Sequence, residues 1–371
     1  MVKKTWQMLT ITALTLSLAA CQQFKELPDP NESSDKVSNE STQQLSDDYY
    51  QAVVEDNNYE VNQTSGLTVG PTSQANTENL EEGLYQLAQG AFPTDEYLLK
   101  EGTAISEETA NNWLGTKNDD NPEGLNPDGY NASSRDKFEP RYLNSIIEYD
   151  LMQEQDDGSM KLGGISIALA MNESDTFTSD DDSEESVEIK RDTQKAKGQE
   201  MAKEIVSRLR KQDKYKDVPI QVGIFANAPS DDVGGGTFIS EAMASEGKNL
   251  DDWTEYKTDY IVFGVDDAPN EEDSEAFQTF QSDVEDLFPQ LSGITGVGRY
   301  EDGDLEHIDV TINSQFDGYT ETVALTQRTM DSAENLFNKN IAVDIEIISP
   351  EGTRAVLSRP AGADTFTSTI S

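Results

Sequence analysis

The chain has 371 residues, enough for one large folded domain or two medium ones, and 72 acidic residues outweigh 27 basic ones to give a formal net charge of −45. This charge excludes nucleic acid as a natural partner, because phosphate binding requires a basic surface. It suits a protein bathed in a salty or alkaline medium, where dissolved ions screen the repulsion between like charges.

The N-terminal residues have the pattern of an export signal. Two lysines precede the uncharged stretch 8–20, which is shorter than the roughly 20 residues of a membrane-spanning helix. The stretch ends in LAAC at 18–21, which resembles a bacterial lipobox. We therefore expect cleavage between Ala20 and Cys21, and attachment of a diacylglycerol to the Cys21 thiol. Cys21 is the only cysteine of the chain, so we also expect a fold without disulfide bonds.

Between this anchor and the folded region lies a predicted flexible tether, residues 22–46, with two prolines and no periodic apolar pattern. A helix is predicted over 79–89, because leucines recur there at positions i, i+4 and i+7. A turn-rich segment is predicted at 121–130, where NPEGLNPDGY combines two Asn-Pro steps with two glycines.

Two strand–helix–strand units are predicted in the rest of the chain. They comprise strands at 164–171 and 220–224 around a helix at 193–210, and strands at 307–312 and 341–347 around a helix at 322–337. Such elements predict an α/β or α+β fold of two tandem strand–helix–strand repeats with helices packed on sheets. The acidic stretch 173–186 in the first unit is predicted to be a solvated insertion that folding does not need.

These elements divide the chain into six predicted segments. A signal peptide (1–20) and a lipidated cysteine with its flexible tether (21–47) precede the folded region. The folded region comprises an N-terminal part (48–150), a first α/β repeat (151–290), a second α/β repeat (291–360) and a C-terminal tail (361–371).

Residue types for catalysis or cofactor binding are sparse. His307 is the only histidine, and its predicted strand favours a sheet histidine over a general base. With one histidine and no free cysteine, a zinc site would have to rely on carboxylates, which zinc does not favour. The glycines at 234–236 and 293–298 lack the pattern of phosphate or dinucleotide loops, and the former predict a mobile loop. The sequence therefore predicts no catalytic residue, no cofactor and no metal site.

Basic residues are concentrated around the predicted helix of the first unit, since ten of the 27 lie between positions 190 and 216. One interpretation is an amphipathic helix whose outer charges pair with the acidic insertion. The other is a docking face for an anionic cell-wall polymer or an acidic protein partner. The candidate docking residues are Lys195, Lys197, Lys203, Arg208, Arg210 and Lys211.

An ordered series of segments resembles the CamS family, lipoproteins of low-GC Gram-positive bacteria known as sex-pheromone precursors. The segments are 79–99 (NLEEGLYQLAQGAFPTDEYLL), Trp113-Leu114, 123–127 (EGLNP), 140–143 (PRYL), the strand 162–172, Gly198 with Met201-Ala202, and Gly318-Tyr319. The resemblance covers about 49–358 and implies two tandem α/β repeats. It also implies that the tail of the cleaved signal peptide is trimmed to a short apolar peptide that induces conjugation. The matching positions are Leu14, Thr15, Leu16, Ser17, Leu18, Ala19 and Ala20.

The sequence thus favours a non-enzymatic lipoprotein, held by the diacylglycerol on Cys21 at the extracellular face of the membrane of a Gram-positive bacterium. Its folded region would bind or scaffold something at the cell envelope. One alternative is the substrate-binding lipoprotein of a transporter, which the anchor and tether would suit. Another is a cell-wall hydrolase, which the scarcity of histidine and cysteine disfavours.

Overall fold

A computed structural model describes residues 39–55, 58–132, 134–179, 182–247, 249–287 and 293–371. The predicted signal peptide, Cys21 and residues 22–38 of the predicted tether lie outside the described residues. The described residues form five α-helices and three sheets of eight, six and two strands within one unit, residues 39–371. This confirms the predicted mixed α/β class.

The elements follow in this order along the chain. The N-terminal part contains β1 (Asn39–Ser41), β2 (Gln51–Glu55), α1 (Gln74–Ala91), β3 (Leu98–Glu101), α2 (Glu107–Leu114) and β4 (Leu143–Glu154). The middle part contains β5 (Met160–Met171), β6 (Ser174–Thr178), β7 (Glu184–Glu188), α3 (Arg191–Leu209), β8 (Ile220–Ala226), β9 (Thr237–Ala244) and β10 (Thr254–Glu255). The C-terminal part contains β11 (Thr258–Val262), α4 (Glu271–Leu287), β12 (Gly293–Glu301), β13 (Asp304–Asn313), α5 (Tyr319–Leu336), β14 (Ala342–Ser349), β15 (Gly352–Arg359) and β16 (Thr367–Ile370).

The eight-stranded sheet has the order β1-β2-β3-β4-β5-β8-β9-β10, and helices cover both faces of its centre. In β5, Ile165, Ile167 and Leu169 pack with α2 and α3 on one face. Ala168 and Ala170 pack with α1 on the other. Because both faces are buried, the segment 164–171 of this strand is almost entirely apolar instead of alternating.

The six-stranded sheet has the order β11-β12-β13-β14-β15-β16, and α4 and α5 cover one of its faces. Ile308, Val310 and Ile312 of β13 lie in the core formed with these helices. Side chains alternate along a strand, so His307 and Asp309 project from the opposite face. This one-sided burial explains the regular alternation that predicts β13 and β14 from the sequence.

Each large sheet contains a parallel strand pair that is joined through a helix. β5 pairs in parallel with β8 across α3, and β13 pairs in parallel with β14 across α5. Antiparallel neighbours flank each pair, β4 and β9 in one sheet and β12 and β15 in the other. The two predicted strand–helix–strand units lie in these segments. Their relation as tandem repeats and the six segment boundaries stay predictions.

The acidic insertion is an ordered hairpin, β6–β7, which makes the prediction of a merely solvated segment wrong. Phe177 is buried, and its ring packs 5.3 Å from that of Phe138, measured between centroids. The carboxylate of Asp175 is also buried and accepts hydrogen bonds from Arg141. The inward side of the hairpin therefore belongs to the folded core, although its outward side is acidic.

Two glycine segments also have structural roles that the sequence did not indicate. The segment 234–236 is tied to α1, because the Asn79 amide donates hydrogen bonds to the carbonyls of Gly234 and Gly236. The segment 293–298 lies in β12, where a Cβ atom at Gly296 would lie 2.1 Å from a ring carbon of Phe277. Glycine is needed there for close packing of α4 on the sheet, not for binding phosphate.

Candidate functional site

The predicted docking residues all lie on or just after α3, but Arg210 has a structural role. Its buried guanidinium donates hydrogen bonds to the backbone carbonyls of Gly247, Ala244, Tyr215 and Val218. Burial lowers the pKa of Arg210. Arg210 thus joins the end of α3 to two loops, and it does not belong to an exposed docking face as predicted.

A basic groove lies beside α3, and three of the predicted docking residues line it. The groove has a volume of about 450 Å³. Its basic side chains are those of Lys117, Lys197, Lys203 and Arg208. Its other lining residues are Gly124, Leu125, Asn126, Pro127, Tyr142, Glu200, Met201 and Glu204. Lys195 and Lys211 are not among the lining residues, so the structure brings together only part of the predicted set.

Local structure explains how separate segments meet at the groove. The buried side chain of Asn126 donates hydrogen bonds to the carbonyls of Leu114 and Leu143, which fixes the loop between α2 and β4. A Cβ atom at Gly124 would lie 2.5 Å from the backbone of Thr116, so this loop can close only with glycine. The loop therefore lies against the exposed side of α3.

The positive charges of the groove are only partly neutralised. Arg208 Nε lies 2.9 Å from a Glu204 oxygen, and Lys197 Nζ lies 3.6 Å from a Glu200 oxygen. Within the part of the chain that the structure describes, neither Lys117 nor Lys203 has a carboxylate oxygen within 4.0 Å of its ammonium group. Both lysines are exposed and available to an anion.

Aromatic rings position the other two cations. Lys197 Nζ lies 5.1 Å from the ring centroid of Tyr142, and the Arg208 guanidinium carbon lies 5.3 Å from that of Trp113. Such contacts hold a cation in place without removing its charge. Lys117 and Tyr142 were not predicted as site residues, because they lie far in sequence from the basic cluster on α3. Their only sequence signal was that Tyr142 lies in the family-like segment 140–143 and that Lys117 follows Trp113-Leu114 closely.

A second group of polar side chains lies on the six-stranded sheet. His307 Nε2 is 2.8 Å from Oδ2 of Asp344, and His307 Nδ1 is 3.6 Å from Oδ2 of Asp309. Burial alone would lower the pKa of His307, but the hydrogen bond to Asp344 and the two nearby carboxylates outweigh it and raise this pKa. The same hydrogen bond lowers the pKa of Asp344. One ligand atom from each side chain is close enough to the others to hold a metal ion.

Glu148 and Asp150 form a buried acidic pair with a structural role. The Glu148 carboxylate accepts hydrogen bonds of 2.8 Å from the backbone amides of Ala104 and Ile105, just before α2. Burial raises the pKa of both acids, and the charge of Asp150 raises that of Glu148 further. Glu148 is shielded from solvent by the core, so it fixes the backbone before α2 and is not exposed to a substrate.

None of the helices in the described ranges is long and apolar enough to span a membrane. The two large sheets make this a mixed α/β protein. Its basic groove is a candidate anion-binding surface, and the His307 cluster is a separate polar site. Residues 59–365 match the family described as CamS sex pheromone cAM373 precursor. The chain therefore belongs to the CamS family, which indicates a secreted or surface protein.

Solved structures of related proteins have the same fold. The sex pheromone precursor from Lactobacillus salivarius subsp. salivarius UCC118 is 30% identical, with a TM-score of 0.83 over 90% of this chain and 98% of that one. The C-terminal domain of the sex pheromone staph-cAM373 precursor from Staphylococcus aureus is 26% identical, with a TM-score of 0.68 over 80% of this chain and 96% of that one. The comparison with curated proteins gives no significant match.

Proposed function

We propose that this protein is a lipid-anchored surface lipoprotein whose folded region is a non-enzymatic binding module for an anionic cell-wall polymer. The observation that carries the proposal is the basic groove, which gathers four cationic side chains in a chain of net charge −45. Lys117 and Lys203 are exposed there, and among the described residues neither has a carboxylate oxygen within 4.0 Å of its ammonium group. Segments 123–127 and 140–143, which carry part of the family resemblance, contribute to the same groove.

A phosphodiester polymer such as a teichoic acid fits this groove better than a compact acidic protein does. A thin chain can follow the row of cations while it keeps away from the acidic surface elsewhere. At physiological salt the Debye length is about 8 Å, so distant acids repel the polymer only weakly. Ammonium and guanidinium groups can donate charge-assisted hydrogen bonds to its phosphate oxygens.

Binding of purified wall teichoic acid to the full chain, measured by titration calorimetry at physiological salt, tests the proposal. Lys117→Glu and Lys203→Glu should each weaken binding at least tenfold, because each replaces an attraction by a repulsion at the polymer. Lys257→Glu is the matched control, since it makes the same charge change at a side chain that is 80% exposed and outside the groove lining. If the three variants and the parent bind the polymer with equal affinity, the polymer does not bind in the basic groove. If the groove binds an acidic protein and not the polymer, the proposed ligand is wrong.

The lipid anchor and the released peptide rest on separate observations. The LAAC sequence at 18–21 supports lipidation of Cys21, and the family description supports a pheromone precursor. Cys21→Ser should therefore remove the protein from the membrane fraction or leave it as an uncleaved precursor. Mass spectrometry of the culture medium should detect LTLSLAA or ALTLSLAA, and the synthetic peptides should induce conjugation in recipient cells. If neither peptide is found in the medium, this chain is not the source of a peptide pheromone.

A further inference from the structure

His307, Asp309 and Asp344 lie together on two neighbouring parallel strands. His307 and Asp309 are two residues apart on β13 and project from the same face, because side chains alternate along a strand. Asp344 lies directly opposite Asp309 in the register of β13 and β14. One ligand atom from each of the three side chains lies within 4.8 Å of the other two.

The widest of these separations would have to shorten in a metal site. Ligand atoms around a tetrahedral zinc ion, with bonds of about 2.1 Å, lie about 3.4 Å from one another. His307 Nε2 and the Asp344 oxygen are already 2.8 Å apart, whereas the Asp309 oxygen lies 3.6 Å from the other ring nitrogen, Nδ1. An ion bound at Nε2 therefore requires the exposed Asp309 carboxylate to rotate toward Asp344. Strand pairing on both sides fixes the backbone of β13 and β14, so only the side chains have to rotate.

We propose that His307, Asp309 and Asp344 bind a divalent transition-metal ion such as Zn²⁺. Three protein ligands leave the remaining coordination positions to water, and the side chains of Asp309 and Asp344 are 59% and 47% exposed. An imidazole ligand favours transition metals over Ca²⁺ and Mg²⁺, which prefer sites made of oxygen atoms alone. The ion would take the place of the hydrogen bond that now joins His307 to Asp344.

The charges around the cluster favour a cation on balance. Arg299 lies opposite His307 on β12, but it forms an ion pair with Glu301. Glu82 of α1 adds a further negative charge near Asp309. A strongly acidic protein surface also concentrates divalent cations around itself. The same surface binds cations nonspecifically, so the test has to observe the imidazole itself.

The single histidine makes such a test direct, because one imidazole gives one set of nitrogen signals in long-range ¹H–¹⁵N NMR spectra. The full chain is used with Cys21→Ser in every sample, so that the cysteine thiol cannot bind zinc. Excess Mg²⁺ occupies the nonspecific acidic sites. Zn²⁺ should then shift both imidazole nitrogens and saturate at one equivalent, whereas Ca²⁺ should leave them unchanged.

Asp309→Asn and Asp344→Asn should each weaken the zinc-dependent imidazole shift at least tenfold. Asp302→Asn is the matched control, because it removes a nearby carboxylate in the turn between β12 and β13 that is not a proposed ligand. A backbone amide spectrum confirms that each variant is folded, and Asp309→Asn keeps the test valid if Asp344→Asn does not fold. The proposal is overturned if zinc leaves the imidazole signals unchanged, or if all three variants bind it equally well.

Discussion

The acidic hairpin β6–β7 offers the sharpest test of the fold, because its attachment depends on one buried carboxylate. The side chain of Asp175 is only 3% exposed, whereas that of Arg141 is 20% exposed. Asp175 accepts hydrogen bonds from Arg141 Nε at 2.9 Å, from Arg141 Nη2 at 2.7 Å and from the Arg141 backbone amide at 2.8 Å. Asp175→Asn removes the negative charge and turns an amide group toward these donors.

The expected loss of stability follows from this geometry. Breaking a buried ion pair by removing one partner costs about 3–5 kcal/mol, because the remaining charge is left without compensation. Arg141 keeps some solvent contact, and its guanidinium carbon stays 3.9 Å from the ring centroid of Tyr130. Both features offset part of the cost, so we expect Asp175→Asn to lower the free energy of unfolding by about 2–4 kcal/mol. With an m-value of about 3 kcal/mol/M, the urea midpoint should fall by about 1 M.

Urea unfolding followed by circular dichroism at constant salt measures this effect. Asp182→Asn provides the control, because it makes the same chemical change at an exposed position of the same hairpin. Its backbone has a φ of 61°, which asparagine tolerates well, so its stability should stay within about 0.5 kcal/mol of the parent. If Asp175→Asn and Asp182→Asn unfold at the same urea concentration, the hairpin does not depend on the buried ion pair.

Two further substitutions test the packing and the buried acids. Gly296→Ala should lower the free energy of unfolding by about 1–3 kcal/mol, because its Cβ would overlap the ring of Phe277, and an unchanged thermal midpoint would contradict this. Burial raises the pKa of Glu148 in the folded state, so its ionisation weakens folding as pH rises above the unfolded value of about 4.3. Glu148→Gln should therefore gain stability relative to the parent as pH rises above that value. A difference in unfolding free energy that does not change with pH would contradict this.

The sequence predicts an element well where burial produces a regular pattern. Helix α3 and strand β14 lie within a few residues of their predicted bounds, because one side of each is apolar. Strand β4 was missed because Glu148 and Asp150 interrupt its apolar pattern. In the structure these acids are buried and accept backbone hydrogen bonds, so their charge does not indicate exposure.

Helix α4 was missed for a different reason. It contains many acidic residues, and its apolar face consists of Phe277, Phe280 and Val284, which are buried against the six-stranded sheet. Their spacing of three and four residues was a usable helical signal that the surrounding charge obscured. The hairpin β6–β7 shows the same effect, since only Asp175 and Phe177 reveal its buried side.

Site residues could be predicted only where they share one element. Lys197, Lys203 and Arg208 recur along a single helix, so sequence alone groups them correctly. Arg210 belongs to the same cluster in sequence, but its direction depends on the loops that accept its hydrogen bonds. His307 and Asp344 are 37 residues apart in sequence and meet only because β13 and β14 pair in one particular register. A shift of that register by one residue would turn one of the two side chains to the other face of the sheet.

The charge distribution also limits how the protein can approach an anionic polymer. Any approach through the acidic surface is repelled, and the basic groove beside α3 is a local exception that Lys117 extends beyond the helix itself. Glu200 and Glu204 at its rim pair with Lys197 and Arg208, so a bound polymer has to compete with these acids for the same cations. Exposed ion pairs are worth only about 0–1 kcal/mol, so the competition is weak at Lys197, whose partner Glu200 is 75% exposed. Arg208 is held more firmly, because its side chain is only 11% exposed and it also donates a hydrogen bond to the carbonyl of Glu123. Lys117 and Lys203, which have no carboxylate oxygen within 4.0 Å among the described residues, can therefore provide the initial attraction, while Lys197 adds a contact once the polymer lies in the groove.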